Sequence, residues 1–298
     1  MKILVFGSLN IDRRYTVDHF VMPGETLSSQ ALGTFSGGKG LNQAIACKKA
    51  GSDVYMAGKI GADGAFLLAE LKDADVVTKH VLIDENEFSG HDIIQVDKNG
   101  QNCIILYGGT NRTITHAEVD EVLADFTAGD IILLQNEINA MDYIIDQAHA
   151  KGMLVALNPS PMDDELLKCD LSKVTYFIMN EIEAAAIAGS EDPEKAIEVL
   201  HAKYPESKIV ITLGSDGSRY FDGENVYEHG IYKVKAVDTT AAGDTFTGYF
   251  LNGLLEGMKP LEIMSMAAKA SAIAVSQPGA ADSIPTKDVV MATELELK

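Results

Sequence analysis

Cysteine is scarce: Cys47, Cys103 and Cys169 are odd in number, far apart and without a Cys-x-x-Cys pair, which excludes a disulfide framework and a cysteine zinc site. They read as small hydrophobes. The seven histidines show no metal-ligand spacing, and no Gly-x-Ser-x-Gly elbow is present, so metalloenzyme and serine hydrolase chemistry find no support. Positive charge is also short. Lys and Arg number 24 against 44 Asp and Glu, leaving a formal charge of -20 that repels nucleic-acid phosphates and anionic lipid. The doublets Arg13-Arg14 and Lys48-Lys49 are too short to reverse that field. Long apolar runs are missing too: no stretch approaches the ~18 residues of a membrane span. The start, Met1-Lys2-Ile3-Leu4-Val5-Phe6-Gly7, is too short for a secretory core. A cytoplasmic protein without nucleic-acid or membrane partners is expected. With 8 prolines, no repeat and no low-complexity linker, residues 1–298 read as one continuous domain.

What is present is a globular composition, 46% hydrophobic and 23% charged, with enough chain for a sizeable core. Ile3–Phe6, Ile131–Leu134, Leu154–Leu157, Tyr176–Met179 and Ile209–Thr212 read as strands buried on both faces. Glu118–Phe126, Met141–Ala150, Glu181–Ala188 and Lys195–Tyr204 have helical spacing. That alternation predicts an α/β fold, a mostly parallel sheet sandwiched by helices. Residues 11–35 and 88–107 break it. They predict antiparallel strands in a small β-sheet lid, with Asn99-Gly100 forming a type I′ turn. After Thr240 the chain turns helical, through Gly243–Glu256 and Leu261–Ser276.

Five segments can carry chemistry. Asp238-Thr239-Thr240-Ala241-Ala242-Gly243-Asp244, placed after a predicted strand Tyr232–Val237, opens a helix with small residues whose amides can converge on an anion. Asp244 also suits plain N-terminal capping. Ser36-Gly37-Gly38-Lys39-Gly40-Leu41-Asn42-Gln43-Ala44 lets backbone approach a ligand, with Asn42 one helical turn in. From Gly33 to Lys39 it matches the first seven positions of a P-loop, but Gly40 offers no hydroxyl for Mg²⁺, and it does not continue as a dinucleotide fingerprint. Asn10 and Asp12, two apart in an extended chain, share a face and can meet vicinal hydroxyls, or they form a turn. Asn180 and Glu183 suit either Mg²⁺ waters or a capping box. Thr212-Leu213-Gly214-Ser215-Asp216-Gly217 suits a nucleotide or a hairpin.

Together and in this order, the five segments resemble the ribokinase (PfkB) family of sugar kinases over nearly the whole chain. One family signature is matched by Gly37-Gly38-Lys39-Gly40-Leu41-Asn42-Gln43-Ala44 with Gly51 and Gly61, the other by Asp238 through Asp244. The resemblance implies a ribokinase-like fold and ATP-dependent transfer of the γ-phosphate to a hydroxyl of ribose or a related sugar. Asp244 is then the catalytic base, and the turn Ala241-Ala242-Gly243-Asp244 an anion hole through the amides of its last three residues. Asn10, Asp12, Gly38, Lys39, Asn42 and Glu137 would bind the sugar. Asn180, Thr212, Gly214, Ser215, Gly217 and Gly243 would hold the nucleotide, and Glu183 would meet Mg²⁺ through water. Asp238, Thr240, Ala274, Gln277, Gly279 and Ser283 would surround potassium, although Gln277 stands where many ribokinases carry a basic residue. The family also implies a homodimer through the lid.

Arg13, Arg14, His91 and Asp92 depart from the family pattern. Asp92 shares the more apolar face of its strand with Ile94 and Val96, where a carboxylate is costly unless paired. It either forms a salt bridge with Arg14 or accepts substrate hydroxyls, selecting a sugar other than, or in addition to, ribose. A nucleoside, keto-sugar or sugar-acid kinase is the alternative on this fold, and a non-catalytic sugar sensor the alternative outside catalysis.

Overall fold

The computed structural model describes residues 1–298. In chain order the strands are β1 (Ile3–Phe6), β2 (Asn10–Thr16), β3 (Ala31–Gly37), β4 (Val54–Gly61), β5 (Val77–Asp84), β6 (Gly90–Val96), β7 (Asn102–Tyr107), β8 (Ile131–Gln135), β9 (Leu154–Asn158), β10 (Tyr176–Asn180), β11 (Lys208–Thr212), β12 (Ser218–Phe221) and β13 (Val226–His229). The helices are α1 (Lys39–Lys49), α2 (Ala65–Asp73), α3 (His116–Leu123), α4 (Met141–Ala150), α5 (Glu181–Ala188), α6 (Pro193–Lys203), α7 (Ala242–Leu255), α8 (Pro260–Val275) and α9 (Lys287–Ala292). The α/β class read from the sequence is the one observed.

Nine strands form the main sheet in the order β13-β12-β11-β10-β9-β8-β1-β4-β5. It is parallel from β11 to β5, and antiparallel only where β12 and β13 close one edge. Alternate residues of each strand enter opposite cores. Ile3, Val5, Ile131 and Leu133 pack with α1, α2, α7 and α8, while Leu4, Phe6, Ile132 and Leu134 pack with α3 to α6. Both faces are therefore dry, which is why these strands read as continuous apolar runs rather than alternating ones. Each fully buried Leu, Ile or Phe contributes roughly 1.5–3 kcal/mol of transfer free energy.

From β1 the chain proceeds outward to β4 and β5, then returns to β8 on the other side of β1. The direction of winding reverses between β1 and β8. A crevice opens beyond the carboxyl ends of strands at such a point. Residues 7–10 follow β1 there, and residues 136–139 follow β8.

The second sheet has the order β3-β2-β6-β7. Its outer pairs are antiparallel, but the central pair β2–β6 is parallel and in register from Asn10↔Gly90 to Thr16↔Val96. Residues 17–30 contribute no strand.

Several local expectations are corrected. At Asn99-Gly100 only Gly100 has positive φ (79°), so the turn is not type I′. The Asp97 carboxylate accepts from the amides of Asn99 (2.8 Å) and Gln101 (2.9 Å), and that side-chain bonding selects a longer loop. Residues 232–237 form no strand; Tyr232 makes one isolated bridge to Leu297, because no neighbouring strand offers this segment a ladder. Helix α3 begins at His116 rather than Glu118, since Thr115 and Glu118 form a capping box, a device worth about 1 kcal/mol. Strands β4, β5, β12 and β13 were not among those read from the sequence. Of the cysteines, only Cys47 is fully buried.

Candidate active site

The crevice is built where α1 and α7 abut the carboxyl ends of β1 and β8. Helix α1 starts so close to the chain after β1 that a Cβ on Gly40 would come within 2.5 Å of the Ser8 nitrogen. The first amides of α1 are satisfied from outside the helix. Lys39 N donates to Glu137 Oε2 at 3.0 Å, Gly40 N to Ser8 Oγ at 3.2 Å, and Leu41 N to Ser8 O at 3.0 Å. The Ser8 hydroxyl donates in turn to Glu137. Glu137 thus places a carboxylate on the positive end of α1. Burial pushes its pKa up, against the opposing pull of the Lys39 charge and of these hydrogen bonds.

Helix α7 starts differently. Ala241, its N-cap, takes a left-handed conformation with φ 59°, a strained backbone for a residue with a side chain. The turn leaves the amides of Gly243 and Asp244 without any acceptor in the protein, while Ala242 N reaches the Thr239 carbonyl at 3.3 Å. Two open donors at a helix N-terminus are able to hold an anion, aided by the dipole. Asp244 does not cap its own helix. Asn42 Nδ2 donates to its Oδ2 at 3.1 Å and Gln43 Nε2 to its Oδ1 at 2.9 Å. Gln43 is itself oriented by Gln135, whose Nε2 donates to Gln43 Oε1 at 2.6 Å.

Asp244 lines a polar cavity of about 400 Å³ with Gly38, Lys39, Asn42, Asp92, Glu137, Asn180, Glu183, Thr212 and the turn Thr239–Gly243. Lys39 is the only basic residue of that lining. Burial alone would lower its pKa, but the carboxylates of Asp244, Glu137, Glu183 and Asp92 outweigh burial and raise it. Asn10 and Asp12 stand just behind this wall on β2. Asn10 Nδ2 donates to Asp92 Oδ2 at 3.1 Å. Asp92 makes no salt bridge with Arg14, contrary to one reading of the sequence: its neighbour across the ladder is Asp12, because β2 and β6 pair in parallel with these two in register.

A second, more apolar cavity of about 460 Å³ adjoins the first and shares Thr212, Thr239, Ala242 and Gly243 with it. Gly214, Ser215 and Gly217 form one rim; Tyr232, Val234 and Ala236 form another, and Ala268, Ala272 and Val275 of α8 form its floor. The sequence reading located the first rim and missed the rest. Only the i, i+4, i+7 spacing of small residues on α8 could have signalled it, and that pattern reads equally as core.

Asn180 and Glu183 form a reciprocal capping box at the start of α5, with Glu183 N donating to Asn180 Oδ1 at 2.9 Å and Asn180 N to Glu183 Oε2 at 3.0 Å. Both still face the polar cavity, so capping and lining coexist. Near α7, Asp238 accepts from Thr240 N (2.9 Å), Thr240 Oγ1 (2.6 Å) and Gly279 N (3.2 Å), which hold its carboxyl below the usual range against the opposing effect of burial. Val237 N and Asp238 N both donate to the Val275 carbonyl. Asp238 and Thr240 are thereby stapled to the 274–283 segment, in which Gln277 N closes a turn on the Ala274 carbonyl at 3.1 Å and Ser283 is buried. The side chain of Gln277 is exposed. This neighbourhood supplies a carboxylate, hydroxyls and carbonyls but no cluster of three acidic, His or Cys ligands, a set suited to a weakly charged hard cation rather than a transition metal.

A sequence profile described as pfkB family carbohydrate kinase matches residues 1–287. The ribokinase of Staphylococcus aureus (strain COL) is 36% identical over 303 residues, covering 97% of this chain and 98% of that protein. That of Haemophilus influenzae (strain ATCC 51907 / DSM 11121 / KW20 / Rd) is 35% identical over 305 residues, covering 96% and 95%. Among solved structures, Arabidopsis thaliana ribokinase complexed with ribose and ATP superposes with TM-score 0.84 at 29% identity, covering 97% of each chain. Ribokinase from Cryptococcus neoformans var. grubii serotype A, in complex with ADP, superposes with TM-score 0.83 at 32% identity, covering 97% of this chain and 98% of that one.

Proposed function

This chain belongs to the pfkB family of carbohydrate kinases, and we propose that it transfers the γ-phosphate of ATP to a hydroxyl of ribose or a closely related sugar, with Asp244 as base. The observation that carries this reading is the junction of the two cavities. A polar compartment holding Asp244 and an apolar one meet at Ala242 and Gly243, beside the open amides of Gly243 and Asp244. The apolar compartment suits an adenine ring, the polar one a sugar, and the amides the phosphoryl group passing between them. The complexes of related ribokinases with ribose and ATP, and with ADP, support that division.

Phosphoryl transfer requires positioning and charge stabilisation more than covalent chemistry. Asp244, its two oxygens held by Asn42 and Gln43, takes the proton of the attacking hydroxyl; such help is worth ~10²–10⁴ in rate. The amides of Gly243 and Asp244 meet the charge on the phosphoryl oxygens, and one such donor is worth ~10²–10³. Lys39 neutralises the surrounding carboxylates. Gly38 and Asn42 frame the sugar with Asn10, Asp12, Asp92 and Glu137, while Thr212, Gly214, Ser215 and Gly217 border the nucleotide.

Mg²⁺, which would shield the nucleotide phosphates, fits beside Asn180 and Glu183, where a single carboxylate already bonded to Asn180 favours contact through water. Potassium fits the oxygen set of Asp238, Thr240, Ala274, Gly279 and Ser283, from which its field would act on the adjoining turn. The smaller sheet acts as a lid that excludes water. Phe35, Ile104 and Leu106 are exposed on the face that carries Asp12 and Asp92, and they support pairing of two copies lid to lid. ADP release measured with ATP and a panel of ribose, other pentoses, fructose and nucleosides tests this function. Fastest release with ribose or another neutral sugar is expected, and release with none of them rejects it.

A further inference from the structure

Asp12 on β2 and Asp92 on β6 are direct partners across a parallel ladder, so both carboxyls stand on one face of the smaller sheet, Asp92 in the wall of the polar cavity and Asp12 just behind it. The neighbours leave each little freedom. Asn10 Oδ1 accepts from Asn111 Nδ2 at 2.7 Å, and Asn111 Oδ1 accepts from Leu9 N at 3.2 Å. The Asn10 amide therefore cannot flip, and its Nδ2 must point at Asp92 Oδ2. Asp12 lies over Gly37, where a Cβ would come within 2.1 Å of its Oδ1, and that buried oxygen has no hydrogen-bond partner.

The charged groups around the pair are Lys39 from α1, Glu137 from the turn after β8, His91 on β6, and Arg14 two residues along β2. Strand β3 contributes no charge there. None of these cations forms an ion pair with either carboxyl. Two buried carboxyls facing each other on neighbouring strands, with no cation paired to either, are costly to ionise together, and one proton held between them relieves that cost. Burial, then the Asp92 charge, pushes Asp12 up to about 8, and burial raises Asp92 as well.

We propose that Asp12 and Asp92 share one proton and act as a single specificity element, offering one O–H donor and adjacent acceptors to neighbouring hydroxyls of a neutral sugar, with Asp92 deciding which sugars the site accepts. The inference rests on the reading of this cavity as the sugar compartment. It also assigns the substrate class. Asp92, Glu137, Glu183 and Asp244 face the cavity against Lys39 alone, so a carboxylated or phosphorylated sugar meets a repulsive field. A neutral polyol finds partners for its hydroxyls, and the orphan Asp12 oxygen gains a donor.

The test takes the sugar giving the fastest ADP release among ribose, arabinose and fructose, with gluconate as the anionic competitor. KM for sugar and for ATP is measured from about pH 6 to about pH 9.5 in the unaltered protein, Asp92→Asn and Asp92→Ala. As the shared proton is lost, KM for the sugar rises about tenfold in the unaltered protein while KM for ATP stays within about threefold. Asp92→Asn, which keeps the shape and permanently carries N–H donors, abolishes that alkaline rise. Asp92→Ala raises KM for the sugar about ten- to a hundredfold at neutral pH and changes the order of preference. An alkaline rise identical in Asp92→Asn, a sugar KM that Asp92→Ala leaves unmoved, or preference for gluconate overturns the proposal while leaving the kinase reading intact. If no sugar releases ADP, the kinase reading falls and takes this inference with it.

Discussion

Gln43 holds Asp244 from the side opposite Asn42: its Nε2 donates to Asp244 Oδ1 at 2.9 Å, while its Oε1 accepts from Gln135. Gln43 has 0% of its surface exposed, so this relay is sealed from water and fixes the carboxylate between two helices.

Replacing Asp244 by Asn keeps the shape and removes the proton acceptor. A loss of kcat of at least ~100-fold is expected, with nucleotide affinity within a few-fold. A well-folded Asp244→Asn protein that loses less than about tenfold contradicts the base assignment. Gln43→Met separates holding from reacting: kcat is expected to fall about tenfold, with KM for ATP unchanged. A fall in melting temperature with kcat preserved would make Gln43 a packing residue only.

Two glycines of α7 make opposite predictions. A Cβ on Gly243 meets nothing within 4 Å, whereas one on Gly248 comes 2.5 Å from Ala46 Cβ and 2.6 Å from the Ala46 carbonyl carbon. Gly248→Ala must push α1 and α7 apart, at about 1–3 kcal/mol. Gly243→Ala should melt within about 2 °C of the unaltered protein but raise KM for ATP about tenfold, because the methyl enters the shared opening of the two cavities. Equal KM values for ATP in the Gly243→Ala and unaltered proteins would place the phosphates elsewhere.

The Asp12–Asp92 pair ties stability to pH. Asp12 ordinarily titrates near 3.8 and is raised to about 8 in the fold. Between those values the folded chain binds a proton that the unfolded chain releases, so stability declines as pH rises through the window and the loss is complete above about 8. Asp92→Asn removes the repulsion. Thermal melts from about pH 6 to about pH 9 should show the variant gaining on the unaltered protein as pH increases. Parallel curves would contradict a shared proton.

Activity at constant ionic strength should be higher in potassium than in sodium, since Asp238 and Thr240, beside the α7 turn, are tied by hydrogen bonds to the 274–283 segment proposed to supply the other oxygens. Equal rates in potassium, sodium and a large organic cation would argue against the ion, and Gln277→Arg then tests whether a fixed charge changes the rate.

The sequence alone determined the α/β class, because strands covered on both faces need continuous apolar runs such as Ile3–Phe6 and Ile209–Thr212, which periodicity exposes directly. It also determined helix limits where the signals are local. Met141–Ala150 and Glu181–Ala188 match the observed α4 and α5, the latter because Asn180 and Glu183 cap each other three residues apart. The motif residues Asp244, Asn42 and Lys39 could be named in advance because short glycine-rich segments and their helix starts lie within a few residues of one another. Tertiary structure decided the rest, wherever partners are distant in the chain. Gln43 reads as one more residue of a buried helix until α7 brings Asp244 against it. Val234, Ala236, Ala268 and Ala272 are small apolar residues of two distant segments, and only their convergence makes a cavity. For Asp92 the sequence leaves a salt bridge with Arg14 and a contact with substrate hydroxyls both open, since side-chain alternation gives the face but not the neighbour. The parallel register of β2 and β6 sets Asp12 beside it instead, and strand register depends on long-range pairing that no local pattern encodes.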